Sequence, residues 1–287
     1  MVKPRWLEKK IVCGPLIREV EKLLLSEGLS TVCEEARCPN RSECYACGTA
    51  TFLIMGDVCT RDCRFCAIRK GKPVPLDENE PEAVARVAKA LDLSHVVVTS
   101  VTRDDLPDGG ASHFSKTISV IKKANPEASV EVLVPDFLGN EDSIKVVIDA
   151  KPDVFNHNVE TVKRLYPIVR PGADYERSIK VLSFASSSGI LTKSGFMLGL
   201  GEKPLEIHEL LFDLKSAGVR MITIGQYLSP KEGCLPVERF VEPEEFEELK
   251  FFARELGFDS VASGPFVRSS HGAKEMYLQF ARSDFLV

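Results

Sequence analysis

Three cysteines within eight residues carry the strongest chemical signal in this 287-residue chain. They are Cys59, Cys63 and Cys66, in the segment CTRDCRFC. A closed tetrahedral metal site needs four protein ligands, so this segment is one ligand short. Three soft thiolates can instead hold three irons of a 4Fe-4S cluster and leave the fourth iron open to a small molecule. A zinc knuckle completed by a distant residue is the alternative.

A second group of three cysteines lies just before the first. Its members are Cys33, Cys38 and Cys44, in the segment CEEARCPNRSEC. They again offer three thiolates, and Cys47 is a candidate fourth ligand if the group is a zinc clip. Seven of the nine cysteines fall between residues 33 and 66, which is typical of metal binding in a reducing compartment. Cys13 and Cys234 stand alone and are predicted to be small buried residues.

The composition restricts the class of protein. Apolar residues make up 44% and charged residues 28%, as in a folded globular protein. A net charge of -5 without a basic block argues against a nucleic-acid partner, and no apolar run is long enough to span a membrane. The basic start, MVKPRWLEKK, has no apolar core after it, so we expect mature protein and a cytoplasmic location.

Short apolar runs bounded by Gly, Pro, Asn or Asp predict buried strands. They are TATFLIMG from 49, HVVVTSV from 95, VEVLVPDF from 130, DVFNHNV from 153, SGFMLGL from 194, MITIGQYL from 221 and SVASGPF from 260. Helical patterns lie between several of them, namely EPEAVARVAKALDL, ETVKRLYPIV, PLEIHELLFDLKSAGV and EPEEFEELKFFARELGF. Strand then helix, repeated about six times, indicates a βα architecture.

Polar residues gather after many of these strands, as in TSVTRDD, NHNVE, GLGE and GQYLSP. In a barrel such positions converge on one mouth, where active sites lie. We therefore predict an α/β fold, a partial (β/α)6-type TIM barrel, although a doubly wound sheet fits the alternation almost as well. The segment RDDLPDGGA from 103 is predicted to be a turn and not an acidic metal site, because its Pro and Gly residues already explain it.

The cysteine loop resembles that of a known superfamily. The spacing C-x3-C-x2-C after the first barrel strand, with Phe65 before the last cysteine, is similar to the signature of the radical S-adenosylmethionine (SAM) enzymes. The resemblance implies that SAM binds the open iron and is cleaved reductively to methionine and a 5'-deoxyadenosyl radical. A barrel would direct polar residues at its mouth toward this cofactor, although each could equally be a strand-end turn, a helix cap or a solvated charge. Our candidate SAM contacts are the aromatic Phe65 and the polar residues Thr99, Asn156, Asn158 and Arg170.

A longer set of segments resembles the lipoyl synthases within that superfamily. They are the two cysteine groups with GTATFLIMG between them, then TSVTRDDLPDGGA, VLVPDFLG, NHNVETVKRL, VRPGADYERSI, TKSGFMLGLGE, IGQYLSP and GPFVRSS. This resemblance implies insertion of two sulfur atoms at C6 and C8 of an octanoyl chain on a carrier-protein lysine. It implies two 4Fe-4S clusters, of which the auxiliary one is the sulfur donor. Its implied partners are octanoylated carrier domains of 2-oxoacid dehydrogenase or glycine cleavage proteins, an electron donor such as ferredoxin or flavodoxin, and an iron-sulfur carrier.

The resemblance also assigns ligands to the auxiliary cluster. It implies that Cys33, Cys38 and Cys44 bind this cluster, together with a serine of a C-terminal Arg-Ser-Ser motif, for which we favour Ser270. His271 stands where the family usually has tyrosine and is a rival ligand, as is Ser269. No role is carried over to Cys234, which replaces a common histidine.

The implied organisation has three parts. They are an extension over residues 1–48 with the auxiliary cysteines, a barrel over 49–266 and a tail over 267–287 with the Arg-Ser-Ser motif. Two alternatives stay open: another radical SAM reaction, such as sulfur insertion into a free small molecule or methylthiolation, and a non-catalytic zinc or iron-sulfur protein.

Overall fold

A computed structural model describes residues 3–284, which form two compact units. The first unit contains residues 9–62 and 67–155, and the second contains residues 3–8, 63–66 and 156–284. Cys59 therefore belongs to the first unit, and Cys63 and Cys66 belong to the second. No helix within residues 3–284 is long and apolar enough to cross a membrane. The division into 1–48, 49–266 and 267–287 stays a prediction, and its residues 1, 2 and 285–287 lie outside the described part.

The first unit alternates helices with mostly buried strands. Its helices are α1 (Pro15–Ser26), α2 (Val32–Glu35), α3 (Arg41–Ala46), α4 (Glu80–Ala90), α5 (Ala111–Ala124) and α6 (Glu141–Asp149). Its strands are β1 (Ser30–Thr31), β2 (Thr51–Ile54), β3 (Val58–Cys59), β4 (Arg69–Lys70), β5 (His95–Ser100), β6 (Ser129–Leu133) and β7 (Val154–Asn156), whose last residue begins the second unit.

Strands β2, β5 and β6 form the parallel part of the first unit. Leu53 pairs with Thr99, and Thr99 pairs with Leu133, so the carboxyl ends of the three strands lie together. Strand β1 adds to β2 in the antiparallel direction, and β3 pairs with β4 in a separate two-stranded sheet. The central strands are buried without polar alternation, as expected of parallel strands covered on both faces.

The second unit repeats the same alternation. Its helices are α7 (Tyr166–Val169), α8 (Tyr175–Ser187), α9 (Pro204–Ser216), α10 (Pro243–Glu255) and α11 (Ala273–Asp284), and its further strands are β8 (Thr192–Leu198), β9 (Met221–Gln226) and β10 (Ser260–Gly264). Strand β9 is parallel to both β8 and β10. The strands pack against the helices through buried apolar residues that include Leu198, Ile224, Leu211 and Phe246.

All seven predicted strand runs contain a strand of the structure, and three of the four helical patterns correspond to α4, α9 and α10. The fourth pattern, ETVKRLYPIV, was wrong as a continuous helix: a 3-10 turn covers Lys163–Leu165, and only the short α7 follows. Glu160 has a φ of +66°, which a right-handed helix excludes. Pro167 further restricts the helix, because it has no N–H to donate and fits only within the first turn.

Candidate active site

The loop that carries Cys59 leaves the carboxyl end of β2 through a tight turn. Met55 and Gly56 both have positive φ, +68° and +87°. The Met55 N–H donates to Glu80 Oε2 at 2.8 Å, which holds this strained position in place. The Cys59 Sγ then accepts backbone N–H groups from Arg61 at 3.4 Å and Thr102 at 3.3 Å. Hydrogen bonds to a cysteine sulfur tune the potential of an iron-sulfur cluster that the cysteine binds.

Arg61 ties the cysteine loop to the segments that follow β5 and β6. Its guanidinium donates to both oxygens of Asp104 at 2.7 and 2.9 Å, and to Asp136 Oδ1 at 2.6 Å. The Arg61 side chain is 5% exposed and that of Asp136 is fully buried. Burial opposes the charge of Arg61, but the hydrogen bonds to Asp104 and Asp136 outweigh it, so the pKa of Arg61 is raised. The guanidinium therefore stays charged and keeps the loop in one place.

Sequence reasoning missed the roles of Asp104 and Asp136. The segment from 103 is a turn, as predicted, and Asp108 accepts the N–H of Gly110 in the turn and the N–H of Ser112 in the first turn of α5. The missed signal was the position of the two carboxylates directly after neighbouring parallel strands, where side chains of an active site gather. A buried guanidinium such as that of Arg61 needs carboxylates nearby to compensate its charge, so a buried Arg61 requires partners of this kind.

Two members of the second cysteine group lie on short helices of the first unit, and the third, Cys38, lies in the connection between them. Cys33 lies on α2, whose N-cap Thr31 accepts the N–H of Glu34 at 3.3 Å. The Cys38 N–H donates to the Cys33 carbonyl at 3.0 Å, and Cys44 follows on α3. The chain reverses direction in these tight turns, which brings the three thiols of this group close to one another.

The electrostatics of this group reflect that closeness. Burial raises the pKa of the Cys44 thiol to about 12, and charges on Cys33 and Cys38 add to the rise, whereas Lys9 lowers it. Burial likewise raises the pKa of Cys33 to about 11, and Cys38 adds to it. Three adjacent, poorly solvated thiolates need a cation, and the irons of a cluster supply that charge. The donor set therefore fits an iron-sulfur cluster.

None of the three cysteines outside the two groups of three is fully buried. Cys47 is exposed at the C-terminal end of α3. Cys13 is also exposed, so its predicted burial was wrong, because it lies in an extended segment before α1. Cys234 is half-buried. Among residues 3–284, no three His, Cys, Asp or Glu side chains have the spacing for a single metal ion. Each cysteine of a multi-iron cluster binds a different iron, so the cluster assignments stay predictions.

Cys63 and Cys66 lie in a segment that the rest of the second unit holds by its backbone. The Arg64 N–H donates to the Val169 carbonyl at 2.9 Å, and the Arg64 carbonyl accepts the Leu235 N–H at 3.0 Å. The Cys234 thiol contacts the Cys66 carbonyl at 3.7 Å. These contacts fix the turn on which two of the three predicted radical-cluster ligands lie.

The predicted SAM contacts fall on both units. Thr99 lies at the end of β5, buried, and its hydroxyl donates to the Leu133 carbonyl at 3.0 Å. Phe65 packs against the apolar core of the second unit. Arg170 is buried, and its Nη1 donates to the Asn158 carbonyl at 2.9 Å and to the Tyr166 hydroxyl at 3.1 Å. Arg170 and Phe65 thus stabilise the second unit itself, and their roles toward SAM stay predictions.

Asn156 and Asn158 contact the C-terminal motif. The Asn156 amide donates to the Ser269 hydroxyl at 2.8 Å, and that hydroxyl lies 3.1 Å from Asn158 Oδ1. Ser270 and His271 follow in a half-buried turn before α11, in which the His271 N–H donates to the Arg268 carbonyl at 3.1 Å. Ser269 is thus hydrogen-bonded within the second unit, and the assignment of Ser270, with His271 and Ser269 as rivals, stays a prediction.

Comparison with known proteins extends these observations. The family model of the Radical SAM superfamily matches residues 53–214. A lipoyl synthase of Caldanaerobacter subterraneus subsp. tengcongensis is 55% identical over 282 residues, which cover 98% of this chain and 98% of that protein. A lipoyl synthase of Caldicellulosiruptor saccharolyticus is 54% identical over 275 residues, covering 95% of this chain and 96% of its own.

Solved structures support the fold. HydG, a maturase of the [FeFe]-hydrogenase, superposes with a TM-score of 0.60 at 14% identity, over 80% of this chain and 54% of its own. Methylornithine synthase (PylB) gives a TM-score of 0.54 at 14% identity, over 88% of this chain and 82% of its own. At such identities the likeness shows the fold alone, and it agrees with the radical SAM fold predicted from the sequence. The 54–55% identity to these relatives over nearly the full length of both chains shows that the chain belongs to the lipoyl synthase family of the radical SAM superfamily.

Proposed function

We propose that the two cysteine groups divide the work of a lipoyl synthase between them. The enzyme inserts two sulfur atoms at C6 and C8 of a protein-bound octanoyl-lysine. In our assignment, Cys59, Cys63 and Cys66 hold the cluster that binds SAM. Cys33, Cys38, Cys44 and Ser270 hold the auxiliary cluster. The observation that carries this function is the 54–55% identity to lipoyl synthases over nearly the whole chain.

The residues of the chain prepare both sites before any substrate binds. When bound, the first cluster supplies the electron that cleaves SAM, and the second supplies sulfur. Cys59 receives two backbone N–H groups, and the buried Arg61 fixes the loop around it. Lys9 places a positive charge near Cys44 and forms an ion pair with Glu43 at 2.7 Å. The N–H donors to Cys59 Sγ tune the potential of a cluster bound there, and Lys9 partly offsets the rise that burial imposes on the pKa of Cys44.

Family membership implies a lipoyl carrier protein as the substrate. We assign octanoylated carrier domains of 2-oxoacid dehydrogenase or glycine cleavage proteins to that role. A ferredoxin or flavodoxin as electron donor and an iron-sulfur carrier that rebuilds the auxiliary cluster complete the set of partners. A cytoplasmic location fits reduced thiols in the two cysteine groups.

Single cysteine variants test the division of roles. The reconstituted enzyme, with reductant, SAM and an octanoyl-lysine peptide, is expected to carry about eight irons and to produce 5'-deoxyadenosine and a peptide with two added sulfurs. Cys59→Ser should abolish 5'-deoxyadenosine. Cys38→Ser should still produce it but should make no lipoyl peptide. Cys13→Ser, at an exposed cysteine outside both groups, is the matched control.

Three outcomes would contradict the proposal in different places. Lipoyl product from Cys38→Ser would show that the sulfur donor is assigned wrongly. Deoxyadenosine without sulfur insertion by the unaltered enzyme would leave the radical chemistry and point to another substrate. Zinc in place of iron, with no deoxyadenosine after full reduction, would favour the non-catalytic alternative.

A further inference from the structure

We propose that Asn156 and Asn158 hold the C-terminal Arg-Ser-Ser segment through Ser269 and so position Ser270, in place of the SAM contacts predicted for them. The inference rests on the proposed role of Ser270 as a ligand of the auxiliary cluster. It makes Asn156, Asn158 and Ser269 positioning residues, which act through Ser270. We call these three residues the serine latch.

The two asparagines point to the same side of the chain. They are separated by one residue at the end of β7, and alternate residues of an extended segment share a face. The intervening His157 faces elsewhere, where its Nε2 lies 3.1 Å from the Ser178 hydroxyl. Asn156 and Asn158 therefore reach one target together. That target is the Ser269 hydroxyl, at 2.8 and 3.1 Å.

The hydrogen bonds of the latch run in one direction. The Asn158 Oδ1 is an amide oxygen and can only accept, so the Ser269 hydroxyl donates to it at 3.1 Å. The Ser269 oxygen in turn accepts from the Asn156 amide N–H₂ at 2.8 Å. The backbone of Gly195 packs closely against the Asn158 amide, as shown by the 3.1 Å that would separate a Cβ at position 195 from Asn158 Oδ1. The amide therefore has little freedom to turn away.

The segment that the latch holds is the connection between β10 and α11. Residues 265–272 connect β10 to α11 without a helix or strand. Upstream, the Val267 N–H donates to the Gly264 carbonyl at 3.1 Å, and the Val267 carbonyl packs on Gly225, where a Cβ would lie 2.2 Å away. Ser269 adds side-chain hydrogen bonds one residue before Ser270. Because the two serines are consecutive, holding the side chain of Ser269 in place also limits how far the backbone of Ser270 can move.

Hydrogen-deuterium exchange of the full-length holoenzyme tests the latch without relying on activity. In Ser269→Ala we expect amides of residues 267–273 to exchange about tenfold faster, because local opening no longer breaks two hydrogen bonds. Asn156→Ala should give the same change, and Ser269→Thr, which keeps the hydroxyl, should restore slow exchange. Ser186→Ala removes a hydrogen bond to the Gly218 carbonyl in the same unit and is the matched control.

Product analysis of the same variants separates positioning from SAM binding. Ser269→Ala should cleave SAM at the unaltered rate and insert sulfur at least about tenfold more slowly. The double variant Asn156→Ala/Ser269→Ala should exchange no faster than either single variant, because the three residues form one network.

The latch is refuted if exchange in residues 267–273 is unchanged in both Ser269→Ala and Asn156→Ala. A raised KM for SAM in Asn156→Ala together with unaltered exchange would return this residue to SAM binding. If Ser269→Ala does not fold, Asn156→Ala decides by the same exchange measurement. An unaltered enzyme that inserts no sulfur would refute the proposed function, while the exchange result would still decide whether the latch exists.

Discussion

Replacing Arg61 by methionine should destabilise the first unit more than any exposed ion pair could. The substitution keeps a long apolar side chain but removes the guanidinium that neutralises Asp136, whose side chain is fully buried. Breaking a buried pair by removing one partner costs roughly 3–5 kcal/mol. Asp104 is 26% exposed, so water solvates it in the variant and it adds little. We therefore expect the free energy of unfolding to fall by about 3–5 kcal/mol.

Urea denaturation of the reduced, metal-free chain, followed by circular dichroism, measures this loss. Arg69→Met is the matched control in the same unit, because Arg69 is 67% exposed in its ion pair with Asp57 and should lose little measurable stability. The double variant Arg61→Met/Asp136→Asn should recover part of the loss, since a neutral amide needs no counter-ion. In the reconstituted enzyme, Arg61→Met should also change the electron paramagnetic resonance spectrum of the reduced radical cluster. The variant keeps the backbone N–H that donates to Cys59 Sγ, but it loses the side-chain hydrogen bonds to Asp104 and Asp136 that hold this N–H in position.

Two results would refute this reasoning. A loss below about 1 kcal/mol would mean that Asp136 is not ionised or finds an equal partner without Arg61. A double variant as unstable as Arg61→Met would mean that the buried charge is not the cause. Either result would leave the geometry intact but remove its electrostatic explanation.

Three further predictions test other parts of the molecule. Gly225→Ala should displace the Val267 carbonyl, which lies 2.2 Å from the added Cβ, and so slow sulfur insertion more than SAM cleavage, as product ratios would show. At pH values above about 4.5, Glu206→Gln should be less stable than the unaltered chain. The reason is that the hydrogen bond from Arg164 lowers the pKa of Glu206 from 4.5 to about 2 in the folded state, so the ionised side chain stabilises the fold. The difference from the unaltered chain should vanish as the pH falls toward 2 in urea titrations at several pH values. Cys47→Ser should keep the same iron count as the unaltered protein, because Cys47 is exposed; a loss of about four irons would make it a ligand.

The sequence predicted the strands well because their signal is local. Runs such as HVVVTS in β5 are apolar and β-branched without polar alternation, which only a buried strand accommodates. It failed for ETVKRLYPIV, where the positive φ of Glu160 and the ring of Pro167 prevent one continuous helix. The conformation of Glu160 comes from its backbone pairing with Gly195 and Met197, which are distant in sequence.

The site shows the same contrast. The type and spacing of Cys59, Cys63 and Cys66 indicated an open iron-sulfur site before any fold was known, because ligand number and softness are properties of residue type. The partners of Arg61 were not predictable in this way. Asp104 and Asp136 lie 43 and 75 residues further along the chain, and only the parallel register of β5 and β6 brings them to one guanidinium.

The sequence by itself determined the chemistry, the family and the order of strands and helices, because these depend on residue types and on patterns within a few residues. Tertiary structure alone decided which polar groups meet. Ser269 is 113 residues from Asn156, yet their side chains lie 2.8 Å apart. A hydrogen bond depends on distance and angle within a few tenths of an ångström, and residue identity does not encode such geometry until the whole chain has packed.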